Sequence, residues 1–119
     1  MLVQKLSREW FKKWEEGSFL DLPITNDFLH KSPFGIIKGK DNYLELISNN
    51  KDKFLGYKFE IIDEIYLANT GCIRYKATQN EFLLDVCEWH YIENDLIKKI
   101  VSYYHIGEIQ KGRQISNYE

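Results

Sequence analysis

One glutamate and three histidines are the side chains most able to do acid–base chemistry in this sequence. Glu88, His90 and His105 fall in the segment EFLLDVCEWHYIENDLIKKIVSYYH, residues 81–105, and His30 lies in an earlier stretch. A carboxylate beside an imidazole orients the ring and keeps a proton available near pH 7. Because a charged group among apolar residues costs several kcal/mol unless it is paired, we expect these side chains to line a cavity rather than a dry core.

The segment around Glu88 predicts two β-strands joined by a turn at Asn94-Asp95, a pair that tolerates positive φ. Apolar and polar residues alternate in both strands, so even-numbered residues from 84 to 92 and odd-numbered residues from 97 to 105 share one face. We expect this face to point toward the first helix, with Glu88, His90, Tyr103 and His105 on it. A three-residue turn would slip the pairing between the strands. Burial in such a site is expected to raise the pKa of Glu88 above its usual value of about 4.3.

The opposite face of this hairpin is too apolar to be stable in water alone. By the same alternation it carries Trp89, Tyr91, Ile100 and Tyr104. Apolar patches on an outer sheet face usually mark protein interfaces. We therefore predict a protein interface at these four residues, and the alternative is that the C-terminal tail folds over them.

The rest of the chain predicts helices first and strands later. Apolar residues at three- and four-residue steps indicate a helix over 2–16 that ends at Gly17, and a capping pattern indicates a short helical turn over 18–22. A strand over 26–32 carries Phe28, His30 and Ser32 on one alternation. A second helix over 42–53 follows an Asp41 N-cap, and strands over 57–67 and 72–79 precede the hairpin. This order predicts an α+β fold in which a curved antiparallel sheet wraps around the N-terminal helices and leaves a cone-shaped cavity.

The composition excludes several classes of protein. The 119 residues fit a single domain over 1–119 with a core over about 5–106 and a polar tail over 107–119, extended or ordered by a partner. The net charge of −2 with interspersed signs argues against a nucleic-acid partner. No apolar run suits a membrane span or a secretory signal, so we expect a soluble cytoplasmic protein. Cys72 and Cys87 lack metal-knuckle spacing and are expected to be buried, reduced thiols.

Several local motifs occur in an order that resembles the nuclear transport factor 2-like superfamily, in particular its SnoaL-like branch. They are the helix end from Trp10 to Ser18, the run Ser32-Pro33-Phe34-Gly35 with Gly39, and the closing hairpin from Tyr91 to His105. The resemblance covers about residues 5–106 and implies the cone-shaped fold. It also implies dimerisation through the sheet, so we predict a homodimer with Trp89, Tyr91, Ile100 and Tyr104 in the contact. It implies no single activity, because this fold hosts isomerases, cyclases, hydrolases and non-catalytic modules.

The resemblance implies specific roles that this sequence only partly keeps. In ketosteroid isomerases, a tyrosine on the first helix and a protonated aspartate on a late strand hold an oxyanion, and an aspartate before the proline moves the proton. Here Trp10 replaces the tyrosine, Ser32 replaces the base, and Glu88 matches the late-strand acid. Steroid isomerisation by that mechanism is therefore not supported. His105 falls about where SnoaL-like cyclases carry their catalytic aspartate, which leaves cyclase activity equally unsupported.

These observations predict a pocket protein that binds a small, largely apolar organic molecule without a cofactor. It would be an acid–base enzyme of isomerase, cyclase or hydrolase type with Glu88 and His105 as its catalytic groups. Its ligand contacts are predicted to be Trp10, Trp14, Phe28, His30, Ser32, Tyr43, His90 and Tyr103. No metal site is predicted, because the histidines and Glu88 lack local ligand spacing. The alternatives are that the aromatic residues only fill a core, that Glu88 forms a structural ion pair, and that the protein is a non-catalytic interaction module.

Overall fold

A computed structural model describes residues 1–105 of the chain. Helix α1 spans Leu2–Glu16, as predicted, and buries one apolar face that includes Leu6, Trp10 and Trp14. It ends at Gly17, whose φ of 77° places it in the left-handed region that glycine adopts without a steric penalty. The prediction for the tail over 107–119 lies outside the described residues. None of the helices in residues 1–105 is long and apolar enough to cross a membrane.

The second helical region differs from the prediction at both ends. Residues 18–22 form turns rather than a helix. Helix α2 spans Lys40–Asn49, and a single 3-10 turn follows at Lys51–Lys53. Its N-cap is Gly39 and not Asp41, because the Gly39 carbonyl accepts the first helical hydrogen bond from the Tyr43 N–H at 3.0 Å. Asp41 instead lies in the first turn, where a carboxylate interacts favourably with the helix dipole.

Six strands form one curved sheet. They are β1 Ile24–Ser32, β2 Gly35–Lys38, β3 Lys58–Leu67, β4 Thr70–Gln79, β5 Phe82–Glu93 and β6 Leu96–Tyr103. The order across the sheet is β2-β1-β6-β5-β4-β3. Strand β2 was not predicted, because its four residues are too few to show an alternation. The sheet is mixed rather than wholly antiparallel, since β1 and β6 pair in parallel. The predicted α+β cone is otherwise confirmed.

The helices pack on the inner face of this sheet. Helix α1 contacts β3 to β6, and α2 contacts β1 and β2. Residues on the inner alternation of the strands are buried against them. Phe28, Ile73 and Ile97, for example, are each 0% exposed. The helices do not fill the wide end of the curved sheet, and this leaves a cavity between the two layers.

A bulge in the closing hairpin decides which residues face the cavity. Asn94 and Asp95 have φ angles of 52° and 65°, which confirms the predicted two-residue turn. The register then shifts, because Ile92 pairs with Ile97 while Tyr91 pairs with Lys99. An extra residue in β6 reverses its alternation. The prediction that odd-numbered residues face inward is therefore correct at Ile97 and wrong beyond it.

Candidate functional site

The candidate site is a cavity of about 170 Å³ between α1, α2 and the inner face of the sheet. Most of its wall is aromatic or aliphatic. Part of the wall is half-buried, and we call six of these half-buried residues the rim, namely Phe34, Lys53, Phe54, Tyr57, Phe82 and Tyr104. The polar residues of the wall include His30, Tyr75, Glu88 and Ser102. A mostly apolar cavity with a few polar groups is the usual form of a small-molecule site.

Glu88 supplies the carboxylate of this wall. The inward alternation of β5 places it there, and its side chain is 3% exposed. Its Oε2 accepts hydrogen bonds from the Tyr75 hydroxyl at 2.9 Å and from the Ser102 hydroxyl at 2.6 Å. Its Oε1 accepts a hydrogen bond from His90 Nε2 at 2.8 Å. Because a buried carboxylate is costly without partners, these three donors explain how the sheet retains it.

His90 connects Glu88 to the first helix. Its ring is 0% exposed, and its Nδ1 lies 2.8 Å from the Ser7 hydroxyl of α1. An ionised carboxylate only accepts hydrogen bonds, so Nε2 carries the ring proton that points to Glu88. His90 lies behind Glu88 and is not among the residues that line the cavity. The structure therefore gives it a role in orienting Glu88 rather than in touching a ligand.

The hydrogen bonds keep Glu88 ionised at neutral pH. Burial acts to raise the pKa of Glu88, but the hydrogen bond and electrostatic attraction of His90, together with the Ser102 hydroxyl, outweigh burial and lower it. The expectation of a raised pKa is therefore wrong, because it considered burial without these partners. Burial, followed by the negative charge of Glu88, raises the pKa of the Tyr75 phenol well above its usual value. Tyr75 is thus a neutral donor beside a charged acceptor.

His30 is the second candidate polar contact, and it lies in the wall on β1. Its ring centroid is 5.2 Å from that of Tyr43, and its Nδ1 is buried without a hydrogen-bond partner within residues 1–105. Burial lowers the pKa of His30 to about 4, although the charge of Glu88 opposes this shift. The imidazole is therefore neutral at pH 7 and can offer one donor and one acceptor.

The other predicted contacts divide into two groups. Trp10, Trp14 and Tyr43 line the cavity as expected. Phe28 and Ser32 do not line it. Phe28 is 0% exposed and packs against Trp10 and Tyr43 in the core. The Ser32 hydroxyl accepts a hydrogen bond from the Phe34 N–H at 3.2 Å, so it supports the turn between β1 and β2.

Because of the bulge in β6, the sequence put four residues on the wrong face of the sheet. His105 is exposed and Tyr103 is 56% exposed, so neither points into the cavity. Conversely, Ile100 is 0% exposed in the core and Tyr104 lies on the cavity rim. The structure therefore does not bring His105 and Glu88 together as a catalytic pair. Ser102, which the odd-numbered alternation had placed outside, is the residue of β6 that reaches Glu88.

Three hydrogen-bond partners of Glu88 and His90 were not predicted from the sequence, namely Ser7, Tyr75 and Ser102. Tyr75 had a usable signal, because it lies between Ile73 and Ala77 on the inward alternation of β4. Ser7 also had one, since it is a polar residue within the apolar face of α1. Neither signal identifies a partner, because the contacts join residues 83 and 13 positions apart in the chain.

The outer face of the sheet carries an apolar row across four strands. Cross-strand pairing aligns Ile65, Cys72, Trp89 and Val101. Ile65 is 72% exposed and Trp89 is 38% exposed. Cys72 and Cys87 lie half-buried on this face with their sulfur atoms 3.6 Å apart, so they are not the core thiols that were expected. Within the described chain, no group of three or more histidine, cysteine, aspartate or glutamate side chains could hold a metal ion.

Known proteins resemble this chain in structure only. No protein-family model matches the sequence, and no curated protein matches it. An NTF2-like protein of unknown function from Cytophaga hutchinsonii ATCC 33406 matches with a TM-score of 0.76 at 16% identity, over 88% of this chain and 91% of that one.

Two other solved structures extend this likeness. An LEH-like epoxide hydrolase of M. tuberculosis matches with a TM-score of 0.76 at 13% identity, over 93% of this chain and 88% of that one. A SnoaL-like protein of unknown function from Burkholderia thailandensis E264 matches with a TM-score of 0.67 at 20% identity, over 87% of this chain and 94% of that one. Identities this low establish a shared fold and leave activity open. The resemblance is thus confirmed at the level of structure: the chain has the nuclear transport factor 2-like fold of the SnoaL-like proteins.

Proposed function

We propose that this protein binds a small, largely apolar organic molecule in the cavity, and that Glu88 accepts a proton or a hydrogen bond from that molecule. One observation carries the proposal: a buried carboxylate with a lowered pKa lies in the wall of a mostly apolar cavity. A protein core has little use for such a group, because apolar residues of similar volume are as stable or more stable there.

The geometry around Glu88 suits a fixed acceptor. A carboxylate offers about four lone-pair sites, and His90, Tyr75 and Ser102 occupy three of them. One site is left for a donor on a ligand. The three donors hold the carboxylate in place, so binding a ligand requires no reorganisation of the acceptor.

The lowered pKa of Glu88 limits which groups can transfer a proton to it. A carboxylate that stays ionised throughout the neutral range takes a proton only from a relatively acidic group, or from a water molecule that becomes acidic as it attacks. This fits an acid–base reaction of the isomerase, cyclase or hydrolase kind. The LEH-like epoxide hydrolase of M. tuberculosis has the same fold, which supports hydrolysis as one reaction that the fold can host.

A binding screen with matched variants tests the proposal. The wild type, Glu88→Gln and Glu60→Gln are compared by thermal shift against small ketones, alcohols, epoxides and lipophilic acids, and each hit is mapped by NMR. Glu60 is an exposed residue of β3, so its variant controls for the loss of one carboxylate. A ligand should stabilise the wild type and Glu60→Gln equally and stabilise Glu88→Gln much less.

A second variant keeps the test decisive if Glu88→Gln folds poorly. Ala77 is buried in the cavity wall, so Ala77→Phe fills the cavity and leaves Glu88 and its three hydrogen-bond donors in the sequence. This variant should lose ligand binding while its circular dichroism stays that of a folded protein. Equal binding by Ala77→Phe would show that the ligand lies elsewhere, and it would refute the proposal.

The apolar row on the outer face favours a second candidate function, assembly with another copy of this chain. We propose that Ile65, Trp89 and Val101 form the centre of such a two-fold contact, because apolar side chains on one sheet face can pack against their own copies. Tyr91 shares this face, next to Thr70 of β4. The predicted contact residues Ile100 and Tyr104 are excluded, since both face inward.

Sedimentation velocity distinguishes this assembly from a monomer. Trp89→Glu should shift the protein toward a monomer, because a charge at the centre of the contact would be buried without a partner. Leu20→Glu is the matched control, since Leu20 is 65% exposed in the loop after α1, away from the sheet. If the wild type remains monomeric at high concentration, the proposed assembly is wrong. The proposal of ligand binding in the cavity would not be affected by that result.

A further inference from the structure

We infer that the ligand of this cavity is a neutral molecule about the size of one six-membered ring, and that its oxygen forms a hydrogen bond with His30. This inference rests on the proposed function and specifies the ligand class of the same site.

The cavity volume sets the size. At about 170 Å³, the cavity of this protein is close to an engineered apolar cavity of about 150 Å³ that holds one benzene molecule. A single ring with one small substituent therefore fits. A steroid, with four fused rings, exceeds this volume and would have to extend out through the opening.

Unpartnered polar atoms in the wall determine the polarity of the ligand. His30 Nδ1 and Trp14 Nε1 are both buried and have no hydrogen-bond partner among residues 1–105, and both side chains line the cavity. Buried polar groups without partners are rare and costly in folded proteins. A ligand oxygen would supply the missing partner, because a hydroxyl both donates and accepts and a carbonyl accepts.

The polar groups of the wall disfavour an ionised ligand. The ionised Glu88 lies in the same wall as His30, so a ligand carboxylate would be buried beside a like charge. The neutral imidazole of His30 adds no positive charge that would compensate this anion. An ammonium group offers only donors, so it would leave the Trp14 Nε1–H without an acceptor. A neutral ketone, alcohol or phenol meets both conditions.

Four probes of matched size test this inference. Cyclohexanone, cyclohexanol, methylcyclohexane and cyclohexanecarboxylate are titrated into the protein by NMR, and the ratio of the affinities for cyclohexanone and methylcyclohexane is measured. Three variants are compared with the wild type. His30→Phe keeps a ring but removes its nitrogens, His30→Gln keeps a polar group, and His105→Phe is the matched change at an exposed histidine.

The ratio should fall about 3- to 10-fold in His30→Phe, the size expected for one hydrogen bond between neutral groups. It should recover in part in His30→Gln and stay unchanged in His105→Phe. Cyclohexanecarboxylate should bind the wild type on the order of 100-fold more weakly than cyclohexanone, because its charge is buried without compensation.

The outcomes distinguish a failure of this inference from a failure of the proposed function. An unchanged ratio in His30→Phe, or a carboxylate that binds as tightly as the ketone, would overturn the inference while leaving the cavity as a ligand site. If the wild type binds none of the four probes, both the inference and the proposed function are wrong.

Discussion

The low pKa of His30 predicts how the stability of this protein depends on pH. The native ring is neutral down to a pKa of about 4, whereas an unfolded histidine takes up a proton near pH 6.5. Between these two values the unfolded chain binds more protons than the native chain, so stability rises with pH. His30 therefore destabilises the native state progressively as the pH falls from about 6.5 to about 4, and it adds no further loss below that.

The two pKa values set the size of this effect. The difference between the usual value of 6.5 and a native value of about 4 corresponds to about 3 kcal/mol when it is fully expressed. Integrating the same two values from pH 7 to pH 5 gives a loss of about 2 kcal/mol. This is a large part of the stability of an ordinary small domain.

Urea unfolding at a series of pH values measures this loss in the wild type and in His30→Phe. The variant removes the titrating ring, so its unfolding free energy should fall about 2 kcal/mol less than that of the wild type between pH 7 and pH 5. Comparing slopes cancels any packing change that does not depend on pH. The reasoning from burial would be refuted if the unfolding free energies of the two proteins changed with pH in parallel. An NMR titration that gives His30 a pKa near 6.5 would refute it as well.

Three further predictions follow from contacts elsewhere in the protein. Tyr75→Phe removes one donor to Glu88, so urea unfolding should show a loss of about 1–3 kcal/mol, because an ionised acceptor loses a buried partner. Gly71→Ala should destabilise the fold by about 1–3 kcal/mol, since an added Cβ would lie 2.6 Å from the Tyr66 ring. Burial, with a smaller contribution from the neighbouring thiol, raises the pKa of Cys72 to about 11. Iodoacetamide should therefore alkylate Cys72 at pH 8 about 100-fold more slowly in the native protein than in urea.

Each of these three measurements has an outcome that contradicts it. A Tyr75→Phe protein as stable as the wild type would mean that Glu88 does not need this donor. A stable Gly71→Ala protein would mean that the Tyr66 ring moves aside without cost. Equal alkylation of Cys72 in the native and unfolded chains would contradict its raised pKa; mass spectrometry of the labelled peptides separates it from Cys87.

Local patterns in the sequence predicted the elements that carry the site. Helix α1 and its glycine end follow from apolar spacing and from the backbone freedom of Gly17, and both depend only on near neighbours in the chain. The inward positions of Glu88 and His90 follow from the period-two alternation of β5 in the same way. These predictions are correct because each depends on residues within one turn or one strand.

The tertiary structure alone decided which side chains meet. The bulge in β6 comes from how two strands fit together. One extra residue is enough to place Ser102, instead of the predicted His105, beside Glu88 at the cavity. The lowered pKa of Glu88 likewise depends on partners from β5 and β6, while Ser7 of α1 holds His90 behind it. The sequence by itself determined that a carboxylate would lie among apolar residues. Whether it would be ionised, and beside which groups, depended on contacts between distant segments that no local pattern encodes.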